Sequence, residues 1–565
     1  MTNFRIIHIN EQTHCEMIKV SHRRVQIVFF SVLAVLLTLV LRIFDLSIFN
    51  FGDFQHGSIS HNKDMHMRNN LVDRNGIILA STLPTASAYI NPAQFINPVQ
   101  SLELISKELN INVKELAGRI SAGKSFIWLK RHITPHEQQK LHNLGIPGVY
   151  FVKDQKRIYP HKNLFSHIIG LVDIDNKGVS GLEASFNNQL NDINQRALQT
   201  SLDSKIQYIV KQELENAITT HNAIGGTAIV MDVHTGELVS VVSLPDFDPS
   251  NIGSIDNKTL FNQATLGVYE MGSVLKPVTI AMALDSGKIN VRDSFDVSTP
   301  LKINNFTIND YRGKGGFLSV PEVLMYSSNR GVAHMIRKVG VKKQKEYFKK
   351  LGLLSSIGIE VPETSNPIYP SEARWRELSS VTMSFGHGIS ITPTHLIQAF
   401  SAIVNGGIFR EATLIKGQGD EVTGKRVFSS KTSSLMNRML RLVTEGGSSR
   451  QAGFNDYLVG AKTGTAEKII NGRYSKTVNL ALCVGAFPIN NPKYSILILV
   501  DEPKASKLTF GFATGGWIAA PVISKIVSRI APILNIAPID EKDPKVINAL
   551  YIDYKPMYKQ YAHAR

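Results

Sequence analysis

The chain has 565 residues, 43% of them hydrophobic and 19% charged, which is too long for one ordinary domain, suits two or three, and excludes a disordered polymer. Its net charge of +16 is scattered, with no basic block of five or more; that excludes a nucleic-acid arm and favours an anionic surface, membrane or cell-wall polymer, as partner. The two cysteines, Cys15 and Cys483, support neither a disulfide framework nor a cysteine metal site.

In chain order, residues 1–24 end in Lys19, Arg23 and Arg24, directly before an uncharged apolar run over 25–41 that Ile43 and Phe44 continue past Arg42. With Arg42 snorkelling to the far interface, 25–46 is long enough to span a bilayer. The basic flank keeps 1–24 in the cytoplasm and sends the rest outside. No Ala-x-Ala-like cleavage site follows, so the run reads as an uncleaved, single-pass anchor rather than a signal peptide. The two cysteines then lie on opposite sides of the membrane, and Cys483, within the apolar run Leu480 to Val484, reads as a buried structural thiol.

Residues 47–220 mix short strand-like and helix-like pieces with few long apolar runs, as expected of an extended stem. Within them, Gly118 to Ser125 matches G-x-x-x-x-G-K-[ST], the phosphate-cradling loop. That loop works only after a strand and before a helix whose amides receive the phosphates. Here a helix-like Val113-Lys-Glu-Leu-Ala precedes and a strand-like Phe126-Ile-Trp-Leu follows, so the match is read as accidental.

Composition changes near Gly225-Gly226. Two β-rich runs meet at His234-Thr235-Gly236, a hairpin signal, and Val478 to Phe487 and Tyr494 to Val500 repeat the pattern around Pro488 to Pro492. These strands are expected to share one antiparallel sheet, flanked by helices and closed by an apolar helix within Trp517 to Leu534, giving a domain over 221–535. The Lys- and Tyr-rich tail over 536–565 reads as mobile from Asp540.

Chemistry enters at Glu270-Met-Gly-Ser-Val-Leu-Lys-Pro277. At helical spacing Ser273 and Lys276 share a face, so the amine can reach the hydroxyl. Alone, Ser-x-x-Lys is usually solvated helix surface. It is joined, however, by Ser327-Ser328-Asn329 and by Lys462-Thr463-Gly464-Thr465, and the ordered set S-x-x-K, S-x-N, K-T-G is the signature of penicillin-binding proteins and their β-lactamase relatives. Ser273 needs a base in contact to act as nucleophile. Lys276 serves if neutral, a state that burial and the second cation Lys462 both favour. Ser327 can relay a proton to the leaving amine, and Asn329 can orient Lys276 or the substrate amide. Gly464 lets a substrate strand lie close, where the Ser273 and Thr465 amides can form an oxyanion hole. Lys462, Thr463 and Thr465 suit a terminal carboxylate.

At this point the chain closely resembles a class B penicillin-binding protein, a monofunctional peptidoglycan D,D-transpeptidase of the septal division type. The resemblance runs from the anchor to about residue 525. It includes stem stretches Asp73-Arg74-Asn75-Gly76, Arg157-Ile-Tyr159-Pro160 and Gly178-Val-Ser-Gly181-Leu182-Glu183, and Gly386-His-Gly388, Thr444-Glu-Gly-Gly447 and Gly515-Gly516-Trp in the catalytic part. Met271 stands where the family often has proline, Leu275 where it often has phenylalanine, and Arg68-Asn69-Asn70 replaces a more usual Arg-Gly. The reacting groups are intact.

The resemblance implies an α+β protein with an N-terminal transmembrane helix, an extended mixed α/β stem or pedestal, and a C-terminal transpeptidase domain with an antiparallel sheet flanked by helices. It implies a serine-type D-Ala-D-Ala acyltransferase of the inner membrane, periplasmic in its catalytic part, without metal or cofactor. Peptidoglycan stem peptides and β-lactams are the expected ligands; a SEDS-type glycosyltransferase and other division membrane proteins are the expected partners. Alternatives are an elongation-specific transpeptidase and a catalytically silent division scaffold or β-lactam sensor. A β-lactam hydrolase is disfavoured because Trp375, in Trp375-Arg-Glu-Leu-Ser379, occupies the place of the deacylating carboxylate of class A β-lactamases.

Overall fold

The computed structural model describes residues 27–40 and 67–554, apart from 121–124, 252, 254–255, 312, 418–423, 455 and 471. Residues 27–40 are helical; the rest of the expected anchor, the expected cytoplasmic tail and Cys15 lie outside the described residues. No helix among the described residues is long and apolar enough to cross a membrane.

The stem carries strands β1 (Leu71–Val72), β2 (Ile78–Ile90), β3 (Ile127–Ile133), β4 (Val149–Ile158) and β5 (Leu198–Gln199). The long β2 is its spine. It pairs antiparallel with β1 near its start, with β4 along most of its length and with β3 at its far end. Period-two alternation turns Ala88, Ile90, Ile127 and Leu129 onto Ile105, Leu109, Leu116 and Leu141 from the neighbouring helices, a separate small core. Short apolar pieces therefore build a compact lobe, which their individual lengths did not announce. The G-x-x-x-x-G-K-S match runs from the helix Val113–Ile120 toward β3, the reverse of a phosphate loop, with residues 121–124 outside the described ones.

Three stem stretches that carried the resemblance become joints. Glu183 is fully buried between two buried guanidiniums, accepting from Arg68 Nε at 2.7 Å and from Arg157 Nε at 2.7 Å. Asp73 accepts Asn75 N and Ile77 N in its own turn, and its other oxygen accepts Ser204 Oγ at 2.8 Å. We expect Glu183→Ala to lower stability by about 3–5 kcal/mol, because removing one partner leaves two buried cations uncompensated. A urea unfolding midpoint measured on the full chain checks this, and an unchanged midpoint would contradict it.

The second half is built on one sheet in the order β8 (Gly460–Ile470), β9 (Arg473–Phe487), β10 (Tyr494–Asp501), β6 (Gly225–Asp232), β7 (Leu238–Leu244), antiparallel throughout. The β6–β7 hairpin and the two downstream strands thus share a sheet, as the sequence pattern required. Their continuous apolar runs follow from burial on both faces. Helices α1 (Ser204–Thr220) and α6 (Ala519–Ile530) pack in one core. Helices α2 (Lys276–Asp285), α3 (Asn329–Val339), α4 (Pro393–Val404) and α5 (Ser430–Gly446) contribute to the other. The expected boundary at 220 leaves α1 with the stem, yet Ile206, Val210 and Leu214 are buried with the sheet residues Ala228, Val239 and Ile498.

The expectation of a mobile tail from Asp540 is wrong for the described part. Ile552 is buried in the larger core, with Val546, Leu550 and Tyr554 packed against it. Arg438 donates to the Tyr551 carbonyl at 3.1 Å, and Arg292 pairs with Asp553 at 2.8 Å. Apolar residues spaced along the segment fasten it, a signal that its Lys and Tyr content obscured.

Candidate active site

Ser273 sits on a single 3₁₀ turn, Gly272–Leu275, and Lys276 opens α2 by donating its backbone N–H to the Ser273 carbonyl. Pro277 lies in the first turn of α2, where its missing donor costs nothing. Gly272 is required twice over. Its φ of +57° is left-handed, and a Cβ there would stand 2.9 Å from the Thr465 carbonyl oxygen. The turn is therefore pressed against the strand carrying Lys462, which brings the Ser273 and Thr465 backbones, the expected oxyanion donors, onto adjoining segments. Gly464 faces the turn in the same way, its Cβ position being 3.1 Å from Val274 N.

Lys276 is fully buried, and the helical spacing does not join it to Ser273 by a hydrogen bond. Its Nζ donates instead to the Ser327 carbonyl and, at 3.1 Å, to Ser327 Oγ. Ser273 is half-buried, and its Oγ has no hydrogen-bond partner among the described residues. Ser327 offers both oxygens to one amine because its backbone is left-handed, at φ +56°, between helix Val320–Met325 and α3. A serine held there is the kind of strained position that clusters at reactive sites. Burial holds the Lys276 amine well below the ordinary lysine range; Lys462 lowers it further, and Asp310 opposes.

Lys462, also fully buried, projects from the edge strand β8. Its Nζ donates to Thr463 O at 2.9 Å and to Ser448 Oγ at 3.4 Å, and burial lowers its pKa to about 7. The Thr463 hydroxyl donates to Ser448 Oγ at 2.9 Å, while Thr465 Oγ1 accepts Gly515 N at 3.2 Å and keeps its own proton to donate. Cys483 faces Thr463 across the ladder, and burial pushes its thiol up to about 12, so it is inert structural packing.

Asn329 opens α3 and donates from Nδ2 to Asn309 O at 3.0 Å, with no hydrogen bond to Lys276 among the described residues. Of its two expected roles, orienting Lys276 lacks a contact and orienting the substrate amide keeps its geometry open. Trp375 is a core residue, 5% exposed, donating its indole N–H to Gln344. It leaves no carboxylate there to activate water.

Several residues of this site were not singled out from sequence. Ser448, which both Lys462 and Thr463 engage, directly follows the Thr444-Glu-Gly-Gly447 stretch that was noted only for its likeness. Glu270 accepts from Gly388 N at 2.8 Å and Tyr474 Oη at 2.9 Å, tying the segment that enters the Gly272–Leu275 turn to the Gly386–Gly388 loop and to β9. Asp310 accepts from Ser328 Oγ at 2.8 Å. Ser448 and Asp310 lie outside the motifs and Glu270 precedes Ser-x-x-Lys by three residues; the part each plays shows only through its partners.

A model of the penicillin-binding protein transpeptidase domain matches residues 226–528, more than half of the chain, and one of the penicillin-binding protein dimerisation domain matches 64–205. The chain belongs to the penicillin-binding protein transpeptidase family. It is 34% identical over 482 residues to a probable peptidoglycan D,D-transpeptidase FtsI of Caulobacter vibrioides, covering 83% of this chain and 82% of that one. It is 28% identical over 519 residues to the peptidoglycan D,D-transpeptidase FtsI of Escherichia coli K12, covering 85% and 87%. Among solved structures, penicillin binding protein 3 of Mycobacterium tuberculosis, complexed with aztreonam, aligns at TM-score 0.66 and 23% identity over 84% of this chain and 97% of that one, a likeness of fold. All three motifs of the site fall inside the matched transpeptidase domain.

Proposed function

We propose that this protein is a peptidoglycan D,D-transpeptidase that cross-links stem peptides through an acyl-enzyme on Ser273, and a target of β-lactams. The observation that carries the reading is a fully buried lysine, Lys276, poised on Ser327 one turn from the half-buried Ser273. Neutral Lys276 takes the Ser273 proton as Oγ attacks the penultimate D-Ala carbonyl. The peptide C–N bond breaks, and Ser327 returns the proton to the departing D-Ala amine. An acceptor amine then attacks the ester and releases Ser273. Lys462, Thr463 and Thr465 receive the terminal carboxylate on the open edge of β8, beside which the donor peptide extends in strand fashion.

The domain reading is a cytoplasmic tail over 1–24, an inner-membrane anchor over 25–46, a stem over 47–220, a transpeptidase domain over 221–535 and a C-terminal segment over 536–565. In its support stand the basic flank and apolar run at the N-terminus and the matched domains beyond it. Mass spectrometry after exposure to a labelled penicillin tests the acyl-enzyme: one adduct on the peptide containing Ser273 is expected, and an unmodified chain would refute it.

A place at the division septum, beside a SEDS-type glycosyltransferase and other division membrane proteins, is supported by the relatives' names and by resemblance in the Val443-Thr-Glu-Gly-Gly447 and Asp501-Glu-Pro-Lys504 stretches. Depleting the protein in its own host should give long undivided filaments. Rounded cells that still divide would move it to side-wall elongation.

A further inference from the structure

The S-x-N turn is gripped from outside by two residues that belong to none of the motifs. Asp310 Oδ2 accepts from Ser328 Oγ at 2.8 Å, and Oδ1 accepts Arg330 N at 3.0 Å. The adjacent Asn309 carbonyl accepts Asn329 Nδ2 at 3.0 Å. Ser328 Oγ in turn accepts Gly331 N at 3.0 Å, capping α3. Three consecutive residues after Ser327 are thus tied to one dipeptide, on the loop that follows the short strand Phe306–Ile308. The Arg330 guanidinium donates to the Val297 carbonyl at 2.6 Å and forms no ion pair with Asp310 among the described residues.

This grip bears on Lys276 because Ser327, the residue just before the tethered three, supplies both oxygens that hold the Lys276 amine. A left-handed serine needs its neighbours to over-determine it. The charged groups acting on Lys276 are Lys462, from the sheet, which disfavours its protonation, and Asp310, from the loop, which favours it.

We propose that Asp310 is a positioning residue of the acyl transfer: it locks the Ser327–Arg330 turn onto Lys276 and places a negative charge against the turn that holds that amine. The proposal rests on the reading of Ser273 and Lys276 as the reacting pair. Hydrogen bonds hold the turn in register, while the negative charge counterbalances Lys462, so the two contributions separate under substitution.

The test is the second-order rate of acylation of the full chain in detergent by a fluorescent penicillin, followed across pH. Asp310→Asn retains an acceptor for Arg330 N and can donate its amide to Ser328 Oγ, but it removes the charge. Its acid limb should move to lower pH by about half a unit or more, since each unit corresponds to a tenfold change in the protonation equilibrium. Asp310→Ala loses the grip as well, and its plateau rate should fall about ten- to a hundredfold, the scale of a small misplacement of reacting groups. An unmoved acid limb in Asp310→Asn, or a plateau within about twofold of the parent in a folded Asp310→Ala, overturns the proposal. Should Asp310→Ala fail to fold, the limb of Asp310→Asn decides alone. Peptide mapping of the label separates the two readings: adduct on a residue other than Ser273 sinks the reacting pair itself, whereas adduct on Ser273 with unchanged profiles sinks only the role of Asp310.

Discussion

Ser273→Ala is expected to abolish acylation by penicillin while leaving the unfolding midpoint where it was. The size of the loss follows from the unit to which the oxygen belongs. Removing the nucleophile from a serine acyl-transfer site costs on the order of 10⁶ in rate, which places the variant below detection. The stability of the variant follows from the surroundings. Ser273 Oγ is part-exposed and has no hydrogen-bond partner among the described residues, so its deletion strands no donor and opens no cavity. A change within about 0.5 kcal/mol is the expectation for such a site. Gel fluorescence after labelling, paired with a thermal melt, measures both. Labelling that persists in the variant would move the nucleophile elsewhere, and a melt that collapses would make Ser273 structural.

The proposed reacting and binding groups stand out in sequence because transfer chemistry demands particular atoms: Ser273, Lys276, Ser327, Asn329, Lys462 and Thr465 each stand in a short string whose order is rarer than its parts. The sheet was legible because its strands are buried on both faces, which writes long apolar runs into β6, β7, β9 and β10. Where burial is one-sided or comes in short pieces, the signal weakens. The small core under β2 and β3 draws single residues from helices far apart in the chain, and no window contains enough of it. The 540–554 segment misled because charge and tyrosine content dominate its composition, while Val546, Leu550 and Ile552 do the packing.

The site shows the same division. The spacing of Ser273 and Lys276 suggested a direct contact, but a 3₁₀ turn followed by a new helix sends the amine to Ser327 instead. What sequence could not contain is the company of each motif. Ser448 against Lys462, Glu270 beneath the turn and Asp310 behind the S-x-N turn are long-range contacts, made by residues that are individually unremarkable.

The two lysines should fail differently, and pH tells them apart. Both are fully buried, and neither makes an ion pair with a carboxylate among the described residues. Burial brings Lys462 to about 7 and holds Lys276 well below the ordinary lysine range, with the Lys462 charge as the second cause. A protonated Lys462 repels the proton that would go to Lys276. In the proposed mechanism Lys276 acts as a base only when neutral, so acylation should be fast above its folded pKa and decline as pH falls through it. Lys276→Ala removes the base, so the rate should drop about 100- to 10,000-fold and lose its acid limb. Lys462→Ala should also slow acylation, by weakening the carboxylate subsite, but it retains the limb. With the repelling charge gone, Lys276 binds its proton more readily, its pKa rises, and the limb moves to higher pH. Rate profiles of both variants with one penicillin decide the matter. A Lys462→Ala limb that stays in place would mean that the cations do not couple, and burial alone would then have to keep Lys276 neutral.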